Sequence, residues 1–225
     1  MATSNKKVKI NKNFIFQNHL LFDIFTESKN KPYILDFYLL LLLIHYKTLN
    51  NIENMIFCTL TQFAKKIEWC LTTKALKNCL ARLNNFTFSL LFKENENKKL
   101  IQFKTLTFYK DERAFIVQLD RCFLQLITTD NTYCCYIDLN IIEKCISINN
   151  PQTIRGYFLI VPFLTNLKKG NVLKRTEKWL FDYFSISKYK SESKKIENLT
   201  KIFENLNFLQ IAFIKKKEVV YIYYE

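Results

Sequence analysis

Apolar residues run unbroken from Phe37 to Ile44, eight positions closed by Asp36 and His45. This run predicts a helix over roughly Tyr33 to Lys47, buried on nearly all sides at the centre of a domain. A bilayer span needs about 20 apolar residues, so the run reads as core and the membrane is not an expected partner. Before it, residues 1–30 are rich in Lys and Asn and hold one short amphipathic patch, Phe14 to Phe25. After it, a polar link at Asn50 to Asn54 leads to Thr59-Leu60-Thr61, which opens a short helix, Gln62 to Ile67. Thr72 then caps a helix that reaches about Asn85. Phe86 to Phe92 and Leu100 to Tyr109 are rich in aromatic and β-branched residues, and the charged turn Lys93 to Lys99 joins them into a hairpin with a basic tip.

Residues 111–138 form a bridge, with a strand at Ala114 to Leu119, a short helix around Phe123 to Ile127 and an apolar stretch at Tyr133 to Ile137. The order then starts again. Leu139 to Ile146 reads as a helix, and Pro151 suits the first turn of an apolar helix that reaches about Lys168, kinked at Pro162. Gly170 supplies a stop, Thr176 to Phe184 a short helix, and Ser191 to Leu206 the next one. Phe208 to Ile214 and Val219 to Tyr224 make a closing hairpin whose turn is Lys215, Lys216, Lys217 and Glu218.

Each half therefore reads as long buried helix, short helix, turn, second helix and two-stranded wing. Thr61 falls on Thr176, Tyr38 on Tyr157 and Phe86 on Phe208. A helix-turn-helix followed by a β-hairpin is the winged-helix arrangement. The expected fold is α+β, two tandem winged-helix domains, with residues 1–119 holding the N-terminal tail and first domain and residues 120–225 the connecting segment and second. Both second helices are expected on the same face.

The second helices segregate their side chains. Ile196, Leu199, Ile202, Phe203 and Leu206 fall within about 120° on a helical wheel and make a core face. Lys194, Asn198, Lys201 and Asn205 cluster on one outward flank, with Glu197 and Glu204 on the other and Lys190 just ahead of the helix. In the first half Leu76, Cys79, Leu80 and Leu83 form the core stripe, while Lys74, Asn78 and Asn85 lie opposite, flanked by Lys77 and Arg82. A helix entering the major groove needs cations for phosphates and amides that read adenine edges, and carboxylates there are repelled. At the wing tips Lys98 and Lys99, and Lys215, Lys216 and Lys217, are placed to reach phosphates.

Charge strengthens this picture. The 225 residues carry 34 Lys plus Arg against 20 Asp plus Glu, a formal charge of +14. GC-poor genomes favour Lys, Asn, Ile, Phe and Tyr through their codons, which accounts for part of the charge, but Glu shares that bias, so mutational pressure alone does not explain a Lys excess this large. A polyanion is the natural partner.

The chemistry of catalysis is missing. Two Gly exclude a phosphate-binding loop, a dinucleotide fingerprint and a nucleophile elbow. His19 and His45 are too far apart in sequence for the His pair of a metal-dependent nicking enzyme, and five scattered Arg make no recombinase site. Seven Cys without a CxxC pair favour neither zinc nor a disulfide framework, and residues 1–13 lack an apolar leader. The expectation is a cytoplasmic protein with reduced thiols, no cofactor, no metal and no enzymatic activity.

An apolar helix carrying Arg155-Gly156-Tyr157, a short helix ending in Phe181-Asp182-Tyr183-Phe184, then Tyr189-Lys190 before a basic helix, and a terminal hairpin ending in aromatic residues resemble the plasmid replication initiators of the theta-replicating, iteron-binding type. The residue matches lie in about residues 136–224; the architecture matches over most of the chain. The resemblance implies two winged-helix domains that bind repeated double-stranded sites at a plasmid origin, help melt the adjacent AT-rich DNA and recruit host replication proteins. It also implies a homodimer that represses its own gene and a monomer that initiates. Two alternatives stay open: a winged-helix transcriptional regulator or phage replication organiser, and a basic interaction protein with an acidic protein partner.

Overall fold

The structure is a computed structural model that describes residues 6–12, 34–85, 87–94, 97–104, 106–110, 114–128, 134–147, 151–164, 172–184, 186–206, 209, 211–216 and 219–224. Among them are eight helices and ten strands, a mixed α+β fold with small antiparallel sheets. The first half runs β1 (Lys7–Asn11), α1 (Ile34–Asn50), β2 (Met55–Phe57), α2 (Leu60–Lys66), α3 (Thr73–Asn84), β3 (Thr87–Glu94), β4 (Asn97–Lys104), β5 (Leu106–Lys110) and β6 (Phe115–Leu119). A middle segment holds α4 (Arg121–Thr128), β7 (Cys134–Asp138) and α5 (Leu139–Ser147). The second half runs α6 (Pro151–Leu164), β8 (Val172–Thr176), α7 (Glu177–Tyr183), α8 (Glu192–Asn205), β9 (Ile211–Lys216) and β10 (Val219–Tyr224).

The predicted central helix is α1. Every residue from Phe37 to Ile44 is at most 3% exposed. Asp36 in its first turn and Lys47 in its last complement the helix dipole. The helix stops where Asn51 takes φ 50°, a left-handed conformation Asn tolerates, and Ile52 N–H donates back to the Lys47 carbonyl at 3.3 Å.

The two helix-turn-helix segments share their local chemistry. Thr59 and Thr176 are the N-caps of α2 and α7, each accepting from the amide three residues on, at 3.0 and 3.3 Å. Past these helices, Trp69 N–H donates to the Ala64 carbonyl and Ile186 N–H to the Phe181 carbonyl, both at 2.8 Å. Thr72 and Ser191 then cap α3 and α8, through Ala75 N–H at 3.2 Å and Lys194 N–H at 3.4 Å. Thr59, not Thr61, is thus the counterpart of Thr176.

Sheet order repeats as well. β2-β6-β5 in the first half matches β8-β10-β9 in the second. The strands β2 and β8 are short and were not expected from the pattern. The run from Leu100 to Tyr109 divides between β4 and β5. Its N-terminal part pairs only with β3, from Thr87↔Lys104 to Glu94↔Asn97, and this extra hairpin has no counterpart among the described residues of the second half. Lys98 and Lys99 belong to β4, opposite Lys93 and Phe92. Likewise Lys215 and Lys216 lie in β9 opposite Val220 and Val219, so they are strand residues and not turn residues. Lys217 itself, Gly170 and the Phe14 to Phe25 patch lie outside the described residues. The helix begun at Pro151 is described to Leu164, with Pro162 near its end.

The tail residues 7–11 form a strand, β1, which pairs antiparallel with β7 from Lys7↔Asp138 to Asn11↔Cys134, across the expected boundary at 119/120. Buried residues of both halves make one core cluster. Phe37 of α1 meets Phe158 of α6 edge to face, with ring centroids 4.9 Å apart. The paired tyrosines both reach the middle segment: Tyr38 OH donates to Glu143 Oε1 at 2.9 Å, and Tyr157 OH accepts from Asp138 N–H at 2.9 Å. Lys6 bridges Glu143 at 3.2 Å and Glu68, in the turn after α2, at 2.6 Å.

Candidate nucleic-acid interface

α3 packs on α1, α2 and β5 through Leu76, Cys79, Leu80 and Leu83, all at most 1% exposed. Asn84 adds a tether, its Oδ1 accepting from Phe108 N–H at 2.6 Å. The opposite side presents Lys74, Lys77, Asn78 and Asn85, each exposed. Thr73 to Asn84 contains no carboxylate, so nothing on this helix offsets its cations.

Arg82 departs from that group. Its guanidinium turns inward and clasps Asp36 on α1, Nε to Oδ2 at 2.9 Å and Nη2 to Oδ1 at 2.7 Å. The carboxylate is fully buried while the arginine is 30% exposed. Arg82 was expected on the outward flank because the wheel puts it at the edge of that face. A buried carboxylate without a partner is costly, and the long arginine side chain reaches back to satisfy it.

α8 buries Leu199, Ile202, Phe203 and Leu206 and leaves Ile196 half-buried, as the wheel implies. Lys190, Lys194 and Lys201 are exposed, and Asn198 and Asn205 are partly covered. Asn198 Nδ2 donates to the Lys194 carbonyl at 2.7 Å, so the amide is engaged within its own helix. Lys201 pairs with Glu197, one turn away on the same helix. That contact raises the Lys201 pKa and lowers that of Glu197, first through their hydrogen bond and then through their charges. The expected separation of cations from acids on α8 is therefore incomplete: across Glu192–Asn205, Lys194, Lys195 and Lys201 face Glu192, Glu197 and Glu204.

Two cations that sequence reasoning passed over lie on β8. Lys174 is exposed, opposite Tyr221, and Arg175 lies over the rings of Trp179 at 5.2 Å and Phe163 at 5.6 Å. Trp179 in turn stacks on Tyr183 at 4.7 Å. Thr176 marked the start of α7, but a five-residue strand of mixed polarity ahead of it carries little signal.

Among the described residues no group of three His, Cys, Asp or Glu could hold a metal ion. No helix among them is long and apolar enough to cross a membrane. Burial pushes the Cys135 and Cys145 thiols up to about 12, away from the thiolate form a nucleophile or ligand needs.

No protein-family model matches the chain, and no curated protein matches it by sequence. Among solved structures, it is similar to a Pi initiator protein, whose crystal structure is of a complex with iteron DNA. The TM-score is 0.58 at 13% identity, and the likeness covers 98% of this chain and 97% of the other. At that identity the likeness is one of fold, and it extends over both halves.

Proposed function

We propose that the chain is a sequence-specific double-stranded DNA-binding protein that initiates plasmid replication at repeated origin sites, through two tandem winged-helix units. The observation that carries this reading is the fold likeness to an initiator solved on iteron DNA, spanning nearly the whole of both chains. The acid-free outward side of α3 supports it independently. Lys74 and Lys77 meet phosphates there, and Asn78 offers the amide that pairs with an adenine edge. α8 makes the second contact with Lys190, Lys194 and Asn198. No bond is made or broken by the protein; binding energy spent on bending and melting the origin is its mechanism. Host replication proteins are the partners, with a homodimer repressing the gene.

The test is footprinting on the DNA that flanks the gene. Protection at regular intervals of about two helical turns is the expected result. A single protected inverted repeat would move the reading to a dimeric transcriptional regulator, and no protection at all would remove it.

A further inference from the structure

We infer that Asp36 and Arg82 form a positioning clamp that sets the rotation of α3 about its axis, so that Arg82 orients the DNA-facing side and does not touch DNA. This rests on the DNA-binding reading above. Asp36 is fully buried in the first turn of α1, a helix whose following residues are buried on all sides. α1 is therefore a fixed reference. Arg82 reaches it through two near-parallel bonds of 2.7 and 2.9 Å, and a planar fork on a carboxylate fixes angle as well as distance. Arg82 Nη2 also sits 3.3 Å from Cys79 Sγ, on the core stripe of α3.

Lys74, Asn78 and Arg82 are successive members of one i, i+4 row. Drawing the last of them inward tilts that row, so that Lys74 and Asn78 stay exposed while Arg82 is partly covered. A rotation of one residue's step, about 100°, would carry Asn78 off a groove floor altogether. The second half is mounted differently. Arg155-Gly156 stands before Tyr157 where Asp36-Phe37 stands before Tyr38, so the carboxylate is missing. There, Gly156 lets α8 come close instead: a Cβ on it would lie 2.5 Å from Ile202 Cγ2.

The experiment uses the full chain with two duplexes, one carrying the footprinted repeats and one of random sequence. Arg82→Lys and Asp36→Asn should each weaken binding to the repeats by roughly 10-fold, change binding to random DNA by less than about 2-fold and leave the salt slope unaltered. Lysine serves a phosphate as well as arginine does but cannot hold Asp36 at two points. If Arg82→Lys matched wild type while Arg82→Gln lost about one unit of salt slope on both duplexes, Arg82 would be a phosphate contact and the clamp would be refuted. Loss of stability alone, with the ratio between duplexes unchanged after correction for the folded fraction, would refute it too. A second measurement needs no variant: alkylation of Cys79 in the wild-type protein, located by peptide mass, should be no faster with bound repeats than without them. Acceleration on DNA would mean that Arg82 leaves Asp36 and would overturn the proposal. Wild type that bound no repeats would instead remove the DNA reading, and the clamp with it.

Discussion

α3 and α8 occupy the same place in two copies of one arrangement, yet they are mounted and charged in different ways. α3 carries no acid and is tied to its neighbour by a buried ion pair, Asp36 with Arg82. α8 carries three acids against three lysines and is seated by close packing at Gly156. The shared parts are those that hold the backbone together, namely the caps Thr59, Thr72, Thr176 and Ser191 and the backbone bonds by which Trp69 and Ile186 reach back five residues to Ala64 and Phe181. The divergent parts are those that decide what the exposed side meets. On the DNA-binding reading proposed above, two copies with different outer faces would read two different stretches of one site, with α3 the more electrostatic reader.

The largest expected effect tests the mounts. Arg82→Ala leaves the fully buried Asp36 carboxylate without its guanidinium and should destabilise the fold by about 3–5 kcal/mol, seen as a lowered midpoint in urea unfolding. Gly156→Ala comes next. Its methyl meets a branched side chain, so about 1–3 kcal/mol is lost to overpacking, and the same unfolding series measures it. If Gly156→Ala were neutral, α8 would not depend on close approach and the contrast would fail.

On DNA, Asn78→Ala and Asn198→Ala should each cost about 1–3 kcal/mol on the true site and little on random duplex, read by titration at one fixed salt concentration. Equal losses on both duplexes would mean that neither amide reads a base. The smallest effects concern single lysines. Lys77→Ala should lower the salt slope by about 1. Lys201→Ala should lower it by less, because its ammonium is shared with Glu197, and Glu197→Gln should raise affinity for random DNA.

What the sequence made legible follows from how local each signal is. Phe37 to Ile44 could only be core, and Thr72 announces a helix because a hydroxyl and an amide three residues on are close neighbours along the chain; Thr176 and Ser191, read as first helical residues, prove to be caps of the same kind. The core stripes Leu76-Cys79-Leu80-Leu83 and Leu199-Ile202-Phe203 obey the helical period, and they are buried. Harder to read were features set by distant partners. β2, at three residues, is too short to show alternation and exists because β6 pairs with it. The break near residue 105 separates two strands that share one composition, so it was read as one strand. Arg82 was assigned to the outer face because its carboxylate lies 46 positions away in sequence, beyond any helical wheel. The overall repeat was legible, whereas the choice of outward side chains was legible only where both ends of each contact lie on one helix.

The pairing of β1 with β7 bears on how the chain is made. Lys7 and Asp138 are register partners, so the N-terminal strand has no mate until the middle segment has left the ribosome. At ordinary rates of synthesis that interval is on the order of 10 s. Throughout it the backbone N–H and C=O groups of residues 7–11 lack their β7 partners and form an open strand edge. A nascent chain that stops before residue 134 is thus left with an unpaired edge. Truncations there should be found with chaperones or in aggregates, while longer ones close the seam.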